Sequence, residues 1–84
     1  MSDNELRNAL STLYAADKNN STADETLRAS VIAELRQDRD ESELFSVRVT
    51  KIARDMFLSD EAIEQGYGLE DIRDFINWLD EEMR

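Results

Sequence analysis

The chain has 84 residues, twenty of them acidic and ten basic, for a formal net charge of −10, and it contains no Cys, His or Pro. A chain this short builds one thin core, burying only roughly 60 to 65% of the surface that its unfolded form exposes, and reads as a single domain over 1–84. Lacking Cys it has no disulfide framework or thiolate metal site, and lacking His it has neither the commonest general base nor the commonest transition-metal ligand, so the reading is non-catalytic, with no cofactor and no metal.

The opening stretch MSDNELRNAL has neither the basic start nor the apolar run of a secretion signal, and no later stretch approaches a membrane span, which points to a cytoplasmic protein. Ser2-Asp3-Asn4-Glu5 has the pattern of a capping box, and Leu6, Ala9, Leu10, Leu13 and Tyr14 follow at helical spacing, predicting a first helix that ends near Ala16. Asp17-Lys18-Asn19-Asn20-Ser21 is a polar turn. Thr22-Ala23-Asp24-Glu25 repeats the capping box ahead of Leu27, Val31, Ile32 and Leu35, predicting a second helix to about Arg36. Arg28 projects into its apolar stripe one turn after Asp24, and the two are expected to pair, either at the edge of the core or partly buried.

The stretch QDRDESELF, 37–45, places Asp38, Asp40 and Ser42 at the 1, 3, 5 spacing of a calcium loop. Such a loop needs Gly at its sixth position and a bidentate Glu at its twelfth, where this chain has Glu43 and Val49. The turn at Asp17, Asn19 and Ser21 fails in the same way, with Thr22 and Arg28 at those positions. The reading is instead a helix start, with Asp40 or Ser42 as the cap and Glu43 in the first turn, where oxygen acceptors and negative charge suit the free N–H groups.

The third helix, about 42–58, is predicted to be central. Phe45, Val49, Ile52, Ala53, Met56 and Phe57 form one apolar face, and Leu44, Val47 and Leu58 lie opposite, so coverage on two sides is expected. FSVRV alternates like a strand, but it has no second strand with which to satisfy its backbone. The basic row Arg48, Lys51 and Arg54 is expected to face acids of the C-terminal third. Ser59 caps a short helix that Gly66 stops, Tyr67-Gly68 makes a tight connection, and Leu69, Ile72, Phe75, Ile76, Leu79 and Met83 form the stripe of a last helix. The fold class is therefore all-α: four to five short helices around a central third helix.

Charge is unevenly placed. Residues 55–84 hold ten acids and two bases, whereas 43–54 hold one acid and three bases. A field of that sign repels nucleic-acid phosphates and anionic lipid and favours a basic protein partner. On the last helix Glu70, Asp71, Asp74, Glu81 and Glu82 project away from the apolar stripe, and Trp78, roughly 60° beyond Phe75 on the helical wheel, stands beside Asp71 and Glu82. Trp78 is either an edge of the core or an anchor for a partner, since aromatic residues are enriched in interface hot spots. These six residues form the candidate partner-binding set. The implied function is an acidic interaction module, an inhibitor or adaptor for a basic partner such as a nucleic-acid-binding protein, by analogy with small acidic helical proteins of phages and mobile elements. A homo-oligomeric assembly helper is an alternative. Acid pairs such as Glu61 with Glu64 or Asp71 with Asp74 would hold a divalent cation only weakly.

One stretch also resembles a known family. DEAIEQGYGLEDIRDFIN, Asp60 to Asn77, is similar to the last third of acyl carrier proteins, in which a short acidic helix leads through a tight turn into a final helix ending in Asp-aromatic-Ile-Asn, here Asp74, Phe75, Ile76 and Asn77. The resemblance implies a phosphopantetheine arm on the Ser at the start of the long helix, which would be Ser42. The context departs from that pattern: Glu41-Ser42-Glu43 stands in place of Asp-Ser-Leu, the preceding Gly is absent, an extra helix occupies the long loop, and Arg48, Lys51 and Arg54 lie where the family is acidic.

Overall fold

The computed structural model describes the backbone of residues 2–22, 24–41 and 44–84, and their side chains apart from those of 40, 41 and 44–46. Among these residues there are five helices and no strand: α1 (Asp3–Lys18), α2 (Glu25–Glu41), α3 (Leu44–Phe57), α4 (Asp60–Glu64) and α5 (Leu69–Glu82). None is long and apolar enough to cross a membrane. FSVRV is helical, as part of α3, and α3 packs against each of the other four helices. The central placement read from its apolar face is therefore what the chain adopts.

The helix starts show which cap signals were decisive. The Ser2 hydroxyl accepts the Glu5 N–H at 3.2 Å and opens α1, and the Ser59 hydroxyl does the same for the Ala62 N–H and opens α4. At α2 the cap is Asp24, not Thr22. Its carboxylate takes the Thr26 and Leu27 N–H groups at 2.9 and 3.3 Å, so the helix begins two residues later than the capping-box pattern implied. That helix also continues past Arg36 to Glu41, which makes Asp40 part of the end of α2 and not the cap of α3. Ser42, the other candidate cap, and Glu43 lie outside the described residues. Among the described residues, the positions of the calcium-loop alternative are helical, over 38–41 and again from Leu44, and the Asp38 carboxylate is bound to Arg48 at 2.6 Å.

Two helices end in the same way. After α1 the Ser21 N–H reaches the Ala16 carbonyl and the Asn20 N–H that of Asp17, with Asn20 at φ 55°. After α4 the Tyr67 N–H reaches Ala62 and the Gly66 N–H reaches Ile63, with Gly66 at φ 96°. These are the paired bonds of a helix stop that needs one left-handed residue, a conformation that Gly adopts freely and Asn tolerates.

The core is built from the expected stripes. Leu6, Leu10 and Leu13 of α1, Val31 and Leu35 of α2, Ile52 and Ala53 of α3, and Phe75 and Leu79 of α5 are essentially inaccessible to solvent. Met56, Ile72, Ile76 and Trp78 pack against them from the margin. Two apolar residues depart from expectation. Leu69 is 75% exposed, since it starts α5 about 80° around the helix from Leu79 and lies beyond the part of the stripe that α3 covers. Val47 is 66% exposed, so the second apolar side of α3 is not covered there.

Candidate functional site

The six candidate partner-binding residues of α5 divide into two sets of three. Glu70, Asp74 and Glu81 recur at i, i+4 and i+11, which places them on one outward stripe of the helix, and all three are exposed. No ion pair with another described residue engages them. Asp71, Trp78 and Glu82 lie on the flank nearer the core and are each half-buried and bonded within the chain.

Asp71 serves the backbone. Gly68 is the N-cap of α5 and has no side chain to offer, and the Asp71 carboxylate reaches back to accept the Gly68 N–H at 2.8 Å. This is the reciprocal half of a capping box, and it also sets negative charge at the positive end of the helix dipole. The pattern Gly68-Leu69-Glu70-Asp71 carried that signal.

Trp78 and Glu82 belong to a polar knot that joins α1, α2 and α5. Arg28 grips Asp17 through both terminal nitrogens, at 2.8 and 3.2 Å, and meets Glu82 at 2.8 Å. The Trp78 indole N–H donates to the same Asp17 carboxylate at 2.7 Å. The expected Arg28 partner, Asp24, is committed to the α2 cap, and Asp17, eleven residues away, takes its place. The Arg28 guanidinium holds the Asp17 carboxyl below the usual carboxylate range; burial opposes this and the Trp78 bond assists it. Reciprocally, the bonds from Asp17 and Glu82 raise the Arg28 pKa above its ordinary value. Trp78 is thus an edge of the core, with its one polar atom satisfied inside the molecule.

The rings form a row that crosses the molecule. Trp78 stacks on Phe75 at 5.8 Å and meets Tyr14 at 5.2 Å; Phe75 meets Phe57 at 5.7 Å, and Phe57 meets Tyr67 at 5.5 Å. Tyr14 joins the middle of the row through edge contacts to Phe57 and Phe75, with the Lys18 ammonium 5.3 Å from its ring centre. Burial raises the Tyr14 phenol pKa, against a lowering by Lys18. Between Tyr14 and the Tyr67 end of the row, a cleft of about 510 Å³ opens between α1 and the α3–α4 junction, lined by Arg7, Tyr14, Lys18, Phe57, Glu61 and Tyr67 among others.

The basic row of α3 is also partly internal, though not toward the C-terminal third. Arg48 meets Asp3 at 2.9 Å, Asp38 at 2.6 Å and Glu34 at 3.7 Å, and Lys51 approaches Asp3 at 3.9 Å. Burial would lower the Arg48 pKa, but the Asp38 and Asp3 hydrogen bonds outweigh it and raise it. These ion pairs join Arg48 to acids of α1 and α2, and among the described residues none of them reaches an acid of 55–84. Arg54 is exposed.

Sequence reasoning missed the surface around the α4–α5 turn. Ile63 is 55%, Tyr67 41% and Leu69 75% exposed, within seven residues of chain. No family model, curated protein or solved structure matches this chain. For the carrier-like resemblance, Ser42 lies outside the described residues, and α2 is a full helix of 17 residues where that family has a long loop.

Proposed function

We propose that the protein is a non-catalytic acidic interaction module that binds a basic surface of a protein partner, as an inhibitor or adaptor. The observation that carries this reading is the outward stripe of Glu70, Asp74 and Glu81, which stands exposed while the acids on the inner flank of the same helix are bonded within the chain. The basic residues that fold back on acids, Arg28 and Arg48, neutralise Asp17, Glu82, Asp3 and Asp38. They leave the surface of 55–84 strongly negative. Self-repulsion on such a surface opposes compactness, and a basic partner relieves it. The same field disfavours direct contact with nucleic acid or anionic lipid.

The partner-facing residues in this reading are Glu70, Asp74 and Glu81, with Asp71, Trp78 and Glu82 supporting the helix that carries them. Reversing Glu70, Asp74 and Glu81 to Lys should leave far-UV circular dichroism unchanged while slowing association with a purified partner by about tenfold or more at low salt. It should also flatten the salt dependence of the association rate. A partner whose association rate and salt dependence ignore the triple reversal would refute the reading.

A further inference from the structure

The two ends of the aromatic row differ in how they are finished. At one end the Trp78 polar atom is bonded to Asp17, and that carboxylate is in turn gripped by Arg28. At the other, Tyr67 packs one side on Phe57 and remains 41% exposed, between Ile63 and Leu69, which are 55% and 75% exposed. The three fall within seven residues of chain around one bonded turn: the Gly66 N–H to the Ile63 carbonyl and the Tyr67 N–H to the Ala62 carbonyl close α4, and the Gly68 N–H to the Asp71 carboxylate opens α5. The positive φ of Gly66 fixes the turn between them. Such a turn presents its apolar side chains already in place, so a partner that covers them orders little new chain.

We propose that this elbow is the apolar anchor of the protein, and that its occupant is a basic amphipathic segment of a partner protein; the proposal rests on the reading above. Charge chooses the occupant. Asp60, Glu61, Glu64 and Glu70 flank the three apolar residues and are exposed, and residues 55–72 contain six acids and no base; Arg7 and Lys18 of α1 line the cleft beside Tyr67, which Ile63 and Leu69 do not line. A segment that buries Ile63, Tyr67 and Leu69 must therefore bring cations to this rim, or it will desolvate acids without compensation. A second copy of this chain would bring further negative charge to the same rim, from a molecule of net charge −10.

The test uses two synthetic peptides of equal length and charge, one an amphipathic Lys/Leu sequence and one a Lys/Ser sequence, titrated into the full chain and followed by ¹⁵N–¹H spectra. The Lys/Leu peptide should bind about tenfold more tightly, the size of effect that one well-buried anchor supplies, and should shift amides of residues 61–71. The double variant Ile63→Ser/Leu69→Ser, which alters only exposed side chains, should bring the Lys/Leu affinity down to that of Lys/Ser. Trp78→Phe should leave the affinity of both peptides unchanged. If both peptides bind but the double variant retains the Lys/Leu preference, or Trp78→Phe removes it, the elbow is not the anchor although the acidic reading stands. If neither peptide binds at low salt, the acidic reading itself fails. If sedimentation shows a wild-type dimer that the double variant dissolves, the elbow is a self-interface and the proposal is overturned.

Discussion

The Trp78 and Tyr67 ends of the aromatic row are built from similar materials and finished in opposite ways. Each has an aromatic ring leaning on a buried Phe, an acid-rich neighbourhood and a margin open to solvent. At the Trp78 end, carboxylates that fall on half-buried positions are matched by Arg28 and by the indole N–H, because an unmatched charge there would cost several kcal/mol. At the Tyr67 end the acids stand in water and make no ion pair with another described residue, although Arg7 and Lys18 line the cleft beside Glu61. The difference teaches that acidity alone does not mark a binding surface. What separates a structural carboxylate from an available one is whether the fold has already supplied its cation.

The largest effect should come from cutting into the finished end. Trp78→Ala removes two ring contacts, the contact of the ring with the core margin and the donor to Asp17, and should lower unfolding stability by about 3 kcal/mol, the low end for a large aromatic because the ring is only partly buried. Trp78→Phe keeps the ring and should cost about 1 kcal/mol for the lost bond. Tyr67→Ala should fall well below Trp78→Ala. Urea denaturation of the three variants checks the order, and an equal loss at Tyr67 would erase the proposed asymmetry between the ends.

Next in size is the cation of the knot. Arg28→Met keeps the aliphatic bulk but strands Asp17 and Glu82, and should cost about 2 kcal/mol, less than for a fully buried pair because the guanidinium is 19% exposed. The same knot sets an acid limit. Asp17 has a folded-state pKa below its unfolded value of about 3.9, so its contribution is complete above that value and disappears as pH falls through the lower folded one. Asp17→Asn should therefore flatten the loss of stability below about pH 4 relative to wild type, with little change in the slope at higher pH. An acid limb of unchanged steepness in Asp17→Asn would assign acid sensitivity to other carboxylates.

What could be read from the sequence divides along the same line as these predictions, between local and distant causes. The Ser2 and Ser59 caps, the stripes of α1 and α5 and the stop at Gly66 depend on residues within four or five positions of one another, and they were legible. The α2 cap was misread because Thr22 and Asp24 both carry a suitable oxygen, and the choice depends on where the α1 stop releases the chain. Arg28 was given the wrong partner because Asp17 lies across a turn and Glu82 lies on α5, and neither proximity leaves a mark at helical spacing. The split of the α5 candidate set into an exposed stripe and a bonded flank has a related reason. A helical wheel reports which side chains leave the apolar stripe, but not which of those meet a neighbouring helix on the way out.

Asp71→Ala tests that distinction at a smaller scale. If Asp71 supports the α5 start through the Gly68 N–H, the substitution should cost about 0.5 to 1 kcal/mol, and Asp71→Asn, which keeps an acceptor oxygen, should recover part of it. Amide hydrogen exchange at Gly68 and in the first turn of α5 should quicken in parallel. A silent Asp71→Ala would return this residue to the outward set with Glu70, Asp74 and Glu81.

The smallest effect on stability belongs to Leu69, and it decides most about function. A Leu at the first position of a helix, 75% exposed, contributes little to the core, so Leu69→Ser should change unfolding stability by less than about 0.5 kcal/mol. A loss near that of a buried Leu, about 2 kcal/mol or more, would mean that the side chain is covered in solution by this chain or a second copy. Stability unchanged, together with weakened binding of a basic amphipathic peptide, is the combination that a core residue cannot produce. A core residue weakens binding only by weakening the fold, and an exposed apolar anchor does the reverse: it leaves the fold alone and acts only when a partner arrives to cover it.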